Sequence, residues 1–129
     1  AGYILLGICR PEHDAQRAIM RVHAVKEDLI RSDCLRARTT RPQNALTGRN
    51  NALASLLPDH TIVAHSKLCI AISPRDFSWV VGQVLNAGSQ LLLHTEAAII
   101  SKPDHIETLL EDFERERRAL SKRAQRSTE

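Results

Sequence analysis

Apolar residues are grouped along the chain in a way that predicts both strands and helices. Residues 3–9 form a short continuous apolar run closed by Arg10 and Pro11, which is typical of a strand buried on both faces. From Glu12 to Ser32, apolar residues recur at every third or fourth position and predict one long amphipathic helix. A second helix is predicted over 44–57.

The second half of the chain predicts further strands and two more helices. Residues 61–73 are rich in β-branched residues and form either one long strand or a hairpin. Ser73 as an N-cap and Pro74 at the first helical position predict a helix that ends before Gly88. The composition of 89–101 suits both a helix and a strand, and its position between turn residues favours the strand. A last helix begins near Asp104.

These elements predict an α+β fold in which helices pack on a small mixed sheet of three or four strands. If 61–73 forms a hairpin, the core would be ferredoxin-like, with an inserted helix and an added terminal helix. The length of 129 residues, with 43% hydrophobic and 26% charged residues, indicates one folded domain. We assign this domain to residues 1–118 and predict that 119–129 form a basic, frayed C-terminal tail.

The three cysteines, Cys9, Cys34 and Cys69, are odd in number and widely spaced, which does not predict a disulfide framework. We expect free thiols in a reducing compartment, the cytoplasm. The opening apolar run lacks the basic residues of a signal peptide, and no apolar run approaches the ~20 residues of a membrane span. We therefore expect no membrane association.

A net charge of +3 conceals two concentrations of arginine. Residues 29–58 contain five arginines and one acid, Asp33, and the polar loop 36–44 lies among them. Arginine holds phosphate oxygens through paired N–H donors, so this loop suits a nucleic-acid backbone. A second basic patch, 115–126, follows the acidic first half of the last helix. The candidate nucleic-acid-binding residues are Arg36, Arg38, Arg41, Arg49, Arg117, Arg118 and Arg123.

Both basic segments also have a purely structural interpretation. A solvated loop carries surface arginines without binding anything. The charge order of the last helix, acidic first and basic last, matches the helix dipole and allows acid–arginine pairs one turn apart.

Histidine and cysteine suggest weaker alternatives. His60 and His65 are five residues apart, which places them on opposite faces of a strand, and no CxxC or HxxxH spacing accompanies them. We therefore predict no metal site and no cofactor. Cys9 lies beside a predicted helix start, with His13 one turn away as a possible base. A second candidate enzyme site is the set His60, His65 and His94.

These observations predict a non-enzymatic nucleic-acid-binding or nucleoprotein-assembly subunit, contacting DNA or RNA and forming a homo-oligomer or a larger complex. The alternative is a protein-interaction subunit in which the apolar region 61–100 packs on partners and the arginines lie at the rim. A small enzyme that uses the cysteine and histidine candidates is a third hypothesis.

Overall fold

One five-stranded sheet organises the chain. The computed structural model describes residues 1–7, 10–35 and 41–128, with all their side chains except those of 43, 104, 105 and 120–128. The strand order is β2-β1-β3-β4-β5. The strands are β1 (Gly2–Leu6), β2 (Ile30–Cys34), β3 (Thr61–Ala64), β4 (Gln90–Leu93) and β5 (Ala98–Ile100). The first four are parallel, and β5 runs antiparallel to β4. The mixed α and β class is confirmed, but the prediction of three or four strands is wrong.

Five α-helices connect and flank these strands. They are α1 (His13–Val22), α2 (Pro42–Ala45), α3 (Thr47–Ala54), α4 (Pro74–Asn86) and α5 (Glu107–Thr128). α4 begins as predicted, because the Ser73 hydroxyl accepts the backbone N–H of Asp76 at 3.1 Å. The predicted helix over 44–57 corresponds to α2 and α3 together.

The long helix predicted from Glu12 to Ser32 is wrong in its second half. α1 ends at Val22, and Ala24 adopts a left-handed conformation with φ of 56°. The chain then turns back, passes through a short 3₁₀ helix at Glu27–Leu29 and enters β2. β2 is an edge strand with mostly exposed residues, so it lacks the apolar alternation that identifies a half-buried strand.

The structure also decides the two segments for which the sequence allowed alternatives, 61–73 and 89–101. β3 stops at Ala64, and a 3₁₀ helix at Lys67–Cys69 follows it, so the hairpin and the ferredoxin-like arrangement are wrong. The strand prediction for 89–101 is confirmed, but the segment holds two strands, β4 and β5. Between them the chain reverses through a turn in which Ala97 has a φ of 52°.

Alternate side chains of β1 face two separate apolar cores. Tyr3 and Leu5 belong to the larger core, where Phe77 of α4 and Phe113 of α5 lie with their ring centroids 6.0 Å apart. Ile4 faces the opposite side and packs with Met20 of α1. Strands of a parallel sheet are buried on both faces, which explains the continuous apolar run at the start of the chain.

The two faces of the sheet are covered unequally. Helices α3, α4 and α5 contribute to the larger core, whereas α1 contributes to the smaller one, which holds Met20 with Ile4 and Val63. On the α1 face, Ile99 of β5 is 53% exposed, directly across from Leu92 of β4.

Candidate nucleic-acid interface

The polar loop that carries the predicted phosphate contacts joins β2 to α2. Arg36 and Arg38 lie outside the described residues. Arg41 is exposed, and its carbonyl oxygen accepts the N–H groups of Asn44 and Ala45 at 3.0 and 2.9 Å. The backbone of Arg41 is therefore fixed by the start of α2, while the residue itself lies at the surface.

Arg49 belongs to the core and not to an exposed loop, which corrects its prediction as a phosphate contact. It is 0% exposed. Its Nη1 and Nη2 donate to the Asp76 carboxylate at 2.7 and 3.1 Å, and Nη1 also donates to the Ile70 carbonyl at 3.0 Å. The guanidinium lies 5.4 Å from the centroid of the Trp79 ring, a cation–π distance. A guanidinium held in this way is not available to a ligand.

Asp33 is also turned into the fold. Its carboxylate accepts the Tyr3 hydroxyl at 2.7 Å and the backbone N–H groups of Gly48 and Arg49 at 3.0 and 2.8 Å. Burial, and then the hydrogen bond to Asp33, raise the pKa of Tyr3 far above its usual range. Asp33 thus caps the start of α3, and the one acid of residues 29–58 is occupied by internal donors.

The engagement of Asp33 changes the charge of the exposed surface of residues 29–58. Within 29–58, the described arginines that remain exposed are Arg31 and Arg41. Because Asp33 is engaged internally, this surface carries positive charge with no exposed acid among the described residues of the segment.

The arginines of α5 whose side chains the structure describes are instead paired with acids one turn earlier. Arg117 donates to Glu114 at 2.8 Å, the Nε of Arg118 lies 4.0 Å from the same carboxylate, and Arg115 pairs with Asp112. The hydrogen bond from Arg117 lowers the pKa of Glu114. Arg123 lies in α5, but its side chain is outside the described part of the chain. These pairs neutralise part of the second basic patch, so α5 offers phosphate less free charge than its sequence indicates.

Sheets of this kind bind ligands beyond the carboxyl ends of their parallel strands, and in the part of the chain that the structure describes, side chains beyond β3 and β4 are held by internal contacts. After β3, the Lys67 side chain is 1% exposed and its Nζ donates to Glu116 of α5 at 3.0 Å. Glu96, in the turn after β4, accepts the backbone N–H of Lys67 at 3.0 Å, and burial raises the pKa of Glu96. From beyond β1, the Nε of Arg10 donates to the Leu68 carbonyl at 2.8 Å.

Of the enzyme candidates, the structure describes the histidines, and it does not bring His60 together with His65 and His94. Cys9 lies outside the described residues, and His13 is exposed at the start of α1. His60 precedes β3, whereas His65 follows it, so the strand separates their Cα atoms by about 16 Å at ~3.3 Å per residue. His65 and His94 follow adjacent strands and are neighbours, without His60.

Cys69, which the sequence left without a role, is buried in the 3₁₀ helix after β3. The Ser66 hydroxyl donates to its sulfur at 3.4 Å. Burial raises the pKa of the Cys69 thiol, which disfavours the nucleophilic thiolate.

Two searches of the described ranges were negative. In 1–7, 10–35 and 41–128, no group of three or more histidine, cysteine or acidic side chains is arranged to hold a metal ion. Among the helices of those ranges, none has both the length and the apolar character needed to cross a bilayer.

Comparisons with known proteins give a fold likeness. No protein-family model and no curated protein matches the chain. A solved structure described as the N-terminal catalytic domain of TP901-1 integrase is similar, with a TM-score of 0.60 and 18% sequence identity. The match covers 92% of this chain and 95% of that chain. The two chains therefore share a fold over nearly their whole lengths.

Proposed function

We propose that this chain is a DNA-binding domain that contacts phosphates through Arg36, Arg38 and Arg41, as a non-enzymatic component of a nucleoprotein assembly. The observation that carries the proposal is the likeness, over almost the full length of both chains, to a domain of an integrase. An integrase is an enzyme that recombines DNA, so a domain of this shape is suited to lie against a DNA duplex.

The charge distribution supports the loop as the contact surface. Arg41 is exposed where the loop enters α2, and Asp33 at the other end is held by internal donors. Phosphate contacts supply most of the sequence-independent affinity for DNA, and arginine is well suited to them. Arg117, Arg118 and Arg123 are secondary contacts in this proposal, because the first two are paired with Glu114.

The internal contacts beyond β3 and β4, at the carboxyl edge of the sheet, support a non-enzymatic role. A ligand bound there would have to displace the pair of Lys67 and Glu116, or the contact between Glu96 and the Lys67 backbone. Lys67 is 1% exposed whereas Glu116 is 47% exposed, so a ligand that displaced Glu116 would leave the buried ammonium of Lys67 without its carboxylate partner.

The test is a titration of a labelled DNA duplex at about 50 and 200 mM salt. Three phosphate contacts predict a log–log salt slope of about −2.7, or roughly 40-fold weaker binding across that range. Changing Arg36, Arg38 and Arg41 to Ala should reduce the magnitude of the slope by about 2.7 and leave only the contribution of the secondary contacts. The matched control is Arg75→Ala, an exposed arginine on α4 that should leave the slope unchanged.

The outcomes separate the alternatives. No binding of wild type at the lower salt concentration, or an unchanged slope in the triple variant, would contradict the proposal. Equal affinity for single-stranded RNA of the same length would show that the loop binds phosphate without being a DNA-binding surface.

A second candidate function, that of a protein-interaction subunit, is favoured by the incompletely covered α1 face of the sheet. Ile99 is 53% exposed beside the partly buried Leu92, within the apolar region 61–100. This hypothesis predicts an oligomer that persists at high salt and is lost on Ile99→Lys, measured by light scattering. A salt-insensitive monomer would contradict it.

A further inference from the structure

Two imidazoles from distant parts of the chain meet on the α1 face of the sheet. His23 directly follows α1, His94 directly follows β4, and both are partly buried. The Nε2 of His23 lies 3.0 Å from the Nδ1 of His94. The ring centroids are 5.2 Å apart at an interplanar angle of 73°. The two ring nitrogens therefore lie at hydrogen-bond distance from each other, and the tautomers decide which of them donates.

A third imidazole is adjacent to this pair. β3 and β4 are in register from Thr61 opposite Gln90 to Ala64 opposite Leu93, so the next residues, His65 and His94, lie side by side. The His94 N–H donates to the Ala64 carbonyl at 3.1 Å and fixes this register beyond the strands.

The spacing of the two nitrogens suits a bound transition metal. A tetrahedral ion with metal–nitrogen bonds of about 2.0–2.1 Å holds neighbouring ligand nitrogens roughly 3.3 Å apart. The distance of 3.0 Å between His23 and His94 needs only a small opening to reach that value. Neutral imidazole suits zinc, copper and nickel better than it suits magnesium or calcium.

We propose that His23 and His94 form a binding site for a divalent transition ion of the zinc class. The described part of the chain holds no preassembled group of three ligands. In the present arrangement the chain supplies two nitrogens, and His65 or solvent completes the coordination. The ion would join the end of α1 to the end of β4, across the part of the sheet that α1 covers least. This inference is independent of DNA binding.

The test is calorimetric titration of Zn²⁺ at pH 7.5 into the wild-type chain and three variants. His23→Gln and His94→Gln each remove one ligand and should weaken the affinity at least tenfold. His60→Gln is the matched control, because His60 is exposed at the other end of β3. Wild type and the control should bind one Zn²⁺ per chain with equal affinity, and added Zn²⁺ should raise their Tm.

Three results would overturn the proposal. The first is no detectable Zn²⁺ binding by wild type, and the second is equal affinity in all four proteins. The third is loss of binding in His60→Gln alone. Circular dichroism of the variants without metal shows whether His23→Gln and His94→Gln are folded. If one has lost its fold, a titration of the folded variant alone still decides between a tenfold loss and no change.

Discussion

Gly48→Ala should destabilise the fold although it raises helix propensity. Gly48 lies in the first turn of α3, where alanine is intrinsically better by about 1 kcal/mol. A Cβ at this position would lie 2.6 Å from the Ser32 carbonyl oxygen of β2, and 3.1 and 3.2 Å from the Asp33 carboxylate oxygens. The glycine is required because the helix starts directly against the edge strand.

The magnitude follows from the contacts that must move. Relieving the clash draws the start of α3 away from β2 and from Asp33, which accepts the N–H groups of Gly48 and Arg49. Loss of one hydrogen bond to a charged group costs about 1.5–3 kcal/mol. After subtraction of the propensity gain of about 1 kcal/mol, the variant should be about 0.5–2 kcal/mol less stable than wild type.

Gly82→Ala is the matched control. Gly82 also lies within a helix, α4, but a Cβ there would meet nothing within 4 Å. This variant should gain about 0.5–1 kcal/mol. Urea unfolding followed by helical circular dichroism gives both free energies of unfolding. If Gly48→Ala were as stable as wild type while Gly82→Ala gained stability, the close approach of α3 to β2 would be refuted.

Three further predictions concern buried groups. Arg49→Met leaves the Asp76 carboxylate buried without its ion-pair partner and should cost about 3–5 kcal/mol in urea unfolding, whereas a loss below about 1 kcal/mol would contradict the pairing. Tyr3 is the one tyrosine of the chain, and its raised pKa gives stability that is complete below pH ~10 and is lost at higher pH. Tyrosinate absorbance should therefore appear together with unfolding, and a normal titration of the folded protein would argue against the prediction. The pKa of Glu96 is also raised, so the stability from its neutral form is present below about pH 4.3 and is lost as pH rises through the folded-state pKa. Glu96→Gln should therefore be more stable than wild type near neutral pH and equally stable in acid. If the stability curves of the two proteins ran parallel from acid to neutral pH, ionisation of Glu96 would be excluded as the cause.

The sequence predicted correctly those elements whose capping residues and apolar stripe all lie within one segment. α4 has its N-cap serine, its first-turn proline and a regular apolar stripe within one segment, and the structure has it where the sequence places it. β2 has no such signal. Leu29 and Ile30 continue the helical period of α1, and the break at Ala24 is made by a residue that does not normally adopt a positive φ.

Burial of individual polar residues could not be predicted because distant residues decide it. Arg41 and Arg49 are equivalent in a charge count, yet Arg49 meets Asp76, 27 positions later, and becomes a core residue. His23 and His94 are 71 positions apart, and no motif spacing connects them. Their meeting depends on where α1 ends over the sheet, which the sequence interpretation misplaced by extending that helix.

The place of β1 in the sheet has a consequence for synthesis on the ribosome. β1 lies between β2 and β3, and Gly2 is in register with both Ile30 and Val63. Parallel neighbours are reached only through crossover connections, so the second edge of β1 stays open until residue 64 has left the exit tunnel. Until then the nascent chain presents an unpaired strand with two apolar faces. That state is the one in which a chaperone would bind and in which aggregation would begin.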